Sequence, residues 1–76
     1  MNSARRKLID KVISALGEVR EETDSLRDEE QEAFDNLTES LQQTNQGTRI
    51  EEAADNLSSA VDNLDEAISN LESAVE

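Results

Sequence analysis

Cysteine, histidine, proline, tryptophan and tyrosine are all absent from this chain, and its single aromatic side chain is Phe34. Without Cys or His there are no donors for zinc, iron–sulfur or haem sites, because borderline and soft metals take sulfur or imidazole ligands. Ser–His and Cys–His nucleophilic chemistry lacks its general base. No disulfide staples the fold, so cysteine usage says nothing of compartment. Two glycines, Gly17 and Gly47, no proline and one aromatic make a poor β-sheet former and a permissive helix former. No cofactor is expected.

Large apolar side chains are also scarce. Leu, Ile, Val and Phe total 17 of 76 residues, near the composition at which chains remain disordered. A core this small ordinarily needs a staple or a partner chain. With disulfides excluded, the composition points to oligomerisation or a bound partner.

What is present is pattern. From Ile50 the chain repeats every seven residues as IEEAADN, LSSAVDN, LDEAISN and LESAVE. One column holds Ile50, Leu57, Leu64 and Leu71, a second Ala53, Ala60, Ala67 and Ala74, and a third Ala54, Val61, Ile68 and Val75. Alternating steps of three and four keep these columns on one face of a helix spanning about 49–75. Thr48 with Glu51 three places on has the form of a capping box, and Gly47 suits a left-handed turn ahead of it. Alanine in the stripe lets a partner helix approach closely, which favours an antiparallel hairpin within a bundle. Asn56, Asn63 and Asn70 form one more column, read either as an interhelical hydrogen-bond ladder or as a solvated flank.

The first half predicts a longer helix over about 4–36. Ile9, Val12, Leu16, Val19, Thr23, Leu26, Ala33 and Leu37 hold the same spacing, with Leu8, Ile13, Phe34 and Leu41 flanking. Thr23 and Glu30 fall on the stripe, so packing is expected to be poorest mid-helix. Asn36 and Glu39 leave two readings for 37–47: a break followed by a turn or short helix, or a helix continuing to about Thr44. At 1.5 Å per residue the first helix is roughly 50–60 Å long and the second roughly 40 Å. The N-terminal end is therefore expected to overhang, leaving Leu8, Ile9, Val12 and Ile13 in need of a second chain. The expected fold is all-α, a single-domain antiparallel hairpin assembling into an oligomeric helical bundle. Its self-association stripe is Ile9, Val12, Leu16 and Val19 on one helix and Leu57, Val61, Leu64, Ile68 and Leu71 on the other.

Charge is segregated. Residues 1–20 carry Arg5, Arg6, Lys7, Lys11 and Arg20 against Asp10 and Glu18, a net of +3. The rest carries Arg27 and Arg49 against 17 carboxylates, a net of −15, for −12 in all. Duplex DNA binding needs an extended basic face, and none is present. The acidic run Asp28, Glu29, Glu30, Gln31, Glu32 lacks the ligand spacing and central glycine of a calcium loop. No pattern builds a two-carboxylate hydrolase, so no enzyme is expected. The segment ARRKLIDKVISAL is basic and amphipathic but has no aromatic anchor, and is read as a bundle helix rather than a membrane-surface one. No apolar run has the length of a signal peptide or a membrane span.

The stretches RRKLIDKVI (5–13), DEEQEAFDNLTESLQ (28–42) and EEAADNLSSAVDNLDEAISNLESAVE (51–76) resemble a family of small acidic helical proteins from phages and prophages of Gram-positive bacteria. The resemblance covers nearly the whole chain, and EEQEAFDNL is its most distinctive part. Members tend to carry Pro where this chain has Thr38, which implies a helix break near Asn36. The family brings no catalytic residues. It implies an accessory role in the cytoplasm of an infected bacterial cell.

Three functions follow as expectations. The first is a binder that inhibits a host protein, an antiviral defence factor foremost, with Asp55, Asp62, Asp65, Glu66 and Glu72 as the acidic partner surface. The second is an oligomeric sponge for an anionic nucleotide, held by Arg5, Arg6, Lys7, Lys11 and Arg49. The third is a coiled-coil adaptor in phage assembly.

Overall fold

The computed structural model describes residues 1–76 and is all-α. Helix α1 spans Ser3–Asp35, the single turn α2 spans Glu39–Gln42, and α3 spans Asn45–Ala74. The two long helices pack antiparallel into a rod of 58 × 15 × 13 Å. No peptide bond is cis and no residue has positive φ.

Each helix start is capped by a side-chain oxygen on an otherwise orphaned amide. Asn2 accepts from the Arg5 amide at 2.8 Å, and Thr38 from the Leu41 amide at 3.4 Å. Helix α1 stops at Asp35, so the chain breaks at Asn36 rather than running on to Thr44. The freed carbonyls there are met from across the corner: the Gln42 side-chain amide donates to Phe34 O at 3.1 Å and Leu37 O at 3.4 Å.

The start of α3 departs from expectation. The cap is Thr44, not Thr48, and the helix begins at Asn45 rather than near 49. The Thr44 hydroxyl donates to Leu41 O at 2.6 Å and accepts from the Gly47 amide at 3.2 Å, so one side chain ends α2 and begins α3. Gly47 is helical and buried, not a left-handed turn residue. A Cβ there would stand 2.5 Å from the carbonyl oxygens of both Leu41 and Gln42. Glycine is required by close backbone approach, which spacing along the chain does not reveal.

Burial follows the seven-residue repeat on α3. Ala54 and Val61, one repeat apart, are 1% and 2% exposed, and with Gly47 they are the only fully buried residues. Ile50, Leu57, Leu64, Ile68, Leu71 and Val75 are half-buried along the same seam. On α1 positions 9, 13, 16, 20, 23, 27, 30 and 34, with Leu37 just past its end, are half-buried in steps of four and three, and Gly17 and Asp24 at the edge of this row are half-buried too. The seam therefore takes only part of the expected stripe. Ile9, Leu16, Thr23 and Leu37 face α3, whereas Leu8, Val12, Val19 and Leu26 are 46–60% exposed. Ile13 and Phe34, expected as flanks, are half-buried in the seam instead.

Candidate interaction surfaces

Between Leu16 and Phe34 the α1 side of the seam is polar, with Arg20, Thr23, Asp24, Arg27 and Glu30 half-buried. Each partnership there is specific. The Thr23 hydroxyl donates to Val19 O at 2.7 Å, which removes its need for a cross-helix partner. Arg27 Nη2 lies 2.6 Å from Asp24 Oδ1 and 3.0 Å from Asp28 Oδ1. Arg20 reaches across to α3 with two bonds, Nε to Asp65 Oδ1 at 2.9 Å and Nη2 to Asp65 Oδ2 at 3.4 Å. The Asp65 hydrogen bond, then its charge, raises the Arg20 pKa above its ordinary value, with Asp24 and Glu21 adding to the effect. Asp65 is thus engaged within the chain rather than free for a partner.

The seam divides the hairpin into two unlike sides. An antiparallel helix pair has a local two-fold, so positions displaced equally from the seam on each helix lie on the same side. Val12, Val19, Leu26 and Ala33 precede seam positions 13, 20, 27 and 34; Ala53, Ala60, Ala67 and Ala74 precede 54, 61, 68 and 75. Both rows therefore line one side, next to Ile9, Leu16, Thr23 and Glu30 on α1 and Leu57, Leu64 and Leu71 on α3. Positions four after the seam line the other: Gly17, Asp24 and Gln31 on α1, and Ser58, Asp65 and Glu72 on α3. One side is mainly apolar, broken on α1 by Thr23 and Glu30, and the other is polar and acidic.

The outer carboxylates of α3 also avoid the apolar side. Asp55, Asp62, Glu66 and Glu72 are exposed, and the ion pairs of the chain involve only Arg20 and Arg27. The rim beside the alanine row is instead the uncharged column Asn56, Asn63 and Asn70, all exposed. These asparagines do not form a ladder to α1; within the chain they are a solvated flank.

The basic residues form no single site in one chain. Arg5, Arg6, Lys7 and Lys11 are exposed on the first turns of α1, and Arg49 is exposed near the start of α3 at the opposite end. Counting equal numbers of residues outward from Arg20 and Asp65 brings Glu76 level with Ile9. The first two turns of α1 thus project past α3 with Leu8 exposed. The surface holds no cavity, no cluster of acidic residues is arranged for a metal, and no helix is long and apolar enough to cross a membrane.

Sequence reasoning missed Arg20, Asp24 and Arg27 as a cluster, because charged residues at seam positions were set against an apolar stripe one position away. The available signal was the spacing of Ile13, Arg20, Arg27 and Phe34, seven residues apart. Comparison with models of protein families, with curated proteins and with solved structures finds no match in any of the three.

Proposed function

We propose that this protein is a non-enzymatic, self-associating binder that lays its acidic helix faces on a basic surface of a partner protein. The observation that carries the reading is the row Asp55, Asp62, Glu66 and Glu72, exposed along α3 with no cation of the chain paired to it. Like charges held along one rigid helix repel, and a surface of opposite charge relieves that repulsion while speeding encounter. A rod with no cavity offers a substrate no enclosure, which also favours surface recognition over catalysis. In the setting that the phage resemblance implies, the partner is a host protein, with an antiviral defence factor the leading class and the infected cell's cytoplasm the place of action. Self-association is part of the proposal, since a lone hairpin fully buries only three residues.

The test is co-purification from a Gram-positive host lysate at low and moderate salt, with Asp55→Lys, Asp62→Lys and Glu66→Lys combined as the comparison chain. The parent is expected to retain a partner that the triple variant, equally helical by circular dichroism, loses. No partner at low salt, or equal retention by both chains, would overturn the reading.

A further inference from the structure

Resting on the self-association just proposed, we infer that the apolar side of the hairpin receives a second copy of this chain, with α1 lying antiparallel on its counterpart and the two corners at opposite ends. The product is a four-helix bundle. Three observations carry the choice of occupant.

The first is the missing core. Leu8, Val12, Val19 and Leu26 stand 46–60% exposed in one chain, and Leu57, Leu64 and Leu71 beside the alanine row are only half-buried. A second hairpin on this side covers all of them at once, and the alanines allow the backbones to come close.

The second is where charge has been left out. A chain with net charge −12 repels its own copy, so a self-docking face must be cleared of carboxylates. On α3 it is: Asp55, Asp62, Asp65, Glu66 and Glu72 all lie away from the alanine row, whose rim is Asn56, Asn63 and Asn70, whereas the matching rim of α1 is Ala15, Glu22 and Glu29.

The third fixes the direction. The exposed row of α1 begins at Arg5, with Arg6 and Lys7 beside it. Residues 28–39 hold six carboxylates and no cation. The antiparallel register centred on Val19, which also pairs Val12 with Leu26, sets Arg5–Lys7 of one copy level with residues 31–33 of the other, inside this acidic stretch, twice per dimer. Placing both corners at one end instead gathers the two basic tips together, where like charges repel.

The chain has no cysteine of its own, so a single spin label is placed without background. Ser3→Cys lies at the start of α1 on the polar side. In the antiparallel dimer two such labels stand roughly 50–60 Å apart, and with the corners together they stand within roughly 20 Å, from the helix rise and packing distances. Light scattering on the full chain is expected to give a dimer with the long distance. Val19→Asp, a change at an exposed position of the lone hairpin, is expected to leave helicity intact and raise the dimer dissociation constant at least about 100-fold. A dimer with the short distance, or a Val19→Asp chain that dimerises like the parent, overturns this arrangement while leaving self-association standing. A parent chain that stays a folded monomer overturns both.

Discussion

Arg20 and Asp65, 45 residues apart in sequence, meet through two hydrogen bonds across the seam, at 2.9 and 3.4 Å. The pair ties α1 to α3 where the α1 side of the seam is polar and faces Ala54 and Val61. Both side chains keep contact with water, at 30% and 51% exposure, so its contribution to stability is small and screened. What it supplies is specificity: a slip by one turn leaves Arg20 without its carboxylate.

Replacing Arg20 by leucine is therefore expected to raise the melting temperature, because an apolar side chain then extends the seam between Leu16 and Phe34. The same variant is expected to lose definition of register, read as broadened amide resonances along α3. A sharp spectrum with a lower melting temperature would contradict both halves.

The two glycines are expected to respond in opposite directions. Gly17 has nothing within 4 Å of where a Cβ would sit, so Gly17→Ala removes only the helix-interior penalty. It should stabilise by about 1 kcal/mol, or roughly 4–8 °C for a chain of this size. Gly47→Ala drives a methyl group to 2.5 Å from two backbone carbonyl oxygens that cannot rotate away. Overpacking of this kind costs on the order of 1–3 kcal/mol, and urea melts of the two variants measure the contrast directly.

Capping separates the two threonines at the start of α3. Thr44→Ala removes both the bond to Leu41 O and the bond from the Gly47 amide, and is expected to cost about 1 kcal/mol. Thr48 lies inside the helix and exposed, so Thr48→Ala should leave stability unchanged within about 0.5 kcal/mol. Equal losses would place the cap at the wrong residue.

Added salt is expected to stabilise the protein. Only two arginines are paired in the chain, whereas the net charge is −12, so screening removes more repulsion than attraction. The Debye length falls to about 3 Å at 1 M. Melting temperature should rise with sodium chloride over that range, and a fall would show that ion pairs dominate.

The two long helices and their antiparallel return are legible in the residues alone. The seven-residue columns from Ile50 leave no other element that could bury them, and Asn36 with the polar stretch to Gly47 leaves no other place to turn. The repeat also confined the α3 seam to one face of three adjacent columns, within which Ala54 and Val61 prove to be the most buried.

Which edge of the α1 stripe faces α3 is fixed by packing and is not legible in the spacing. Steps of three and four through Ile9, Leu16, Thr23 and Leu37 are shared by two rows, Val12–Val19–Leu26 and Ile13–Arg20–Arg27–Phe34, and apolarity alone favours the first. The second faces α3, where Arg20 finds Asp65 and where the corner anchors α1's end through Gln42 on Phe34 O. A helix presents one direction to each neighbour, and a long arginine at a seam reaches past the apolar contacts to the polar side. The corner was hidden for a related reason: Gly47 and Thr44 act through carbonyls of Leu41 and Gln42, groups every residue possesses and no sequence displays.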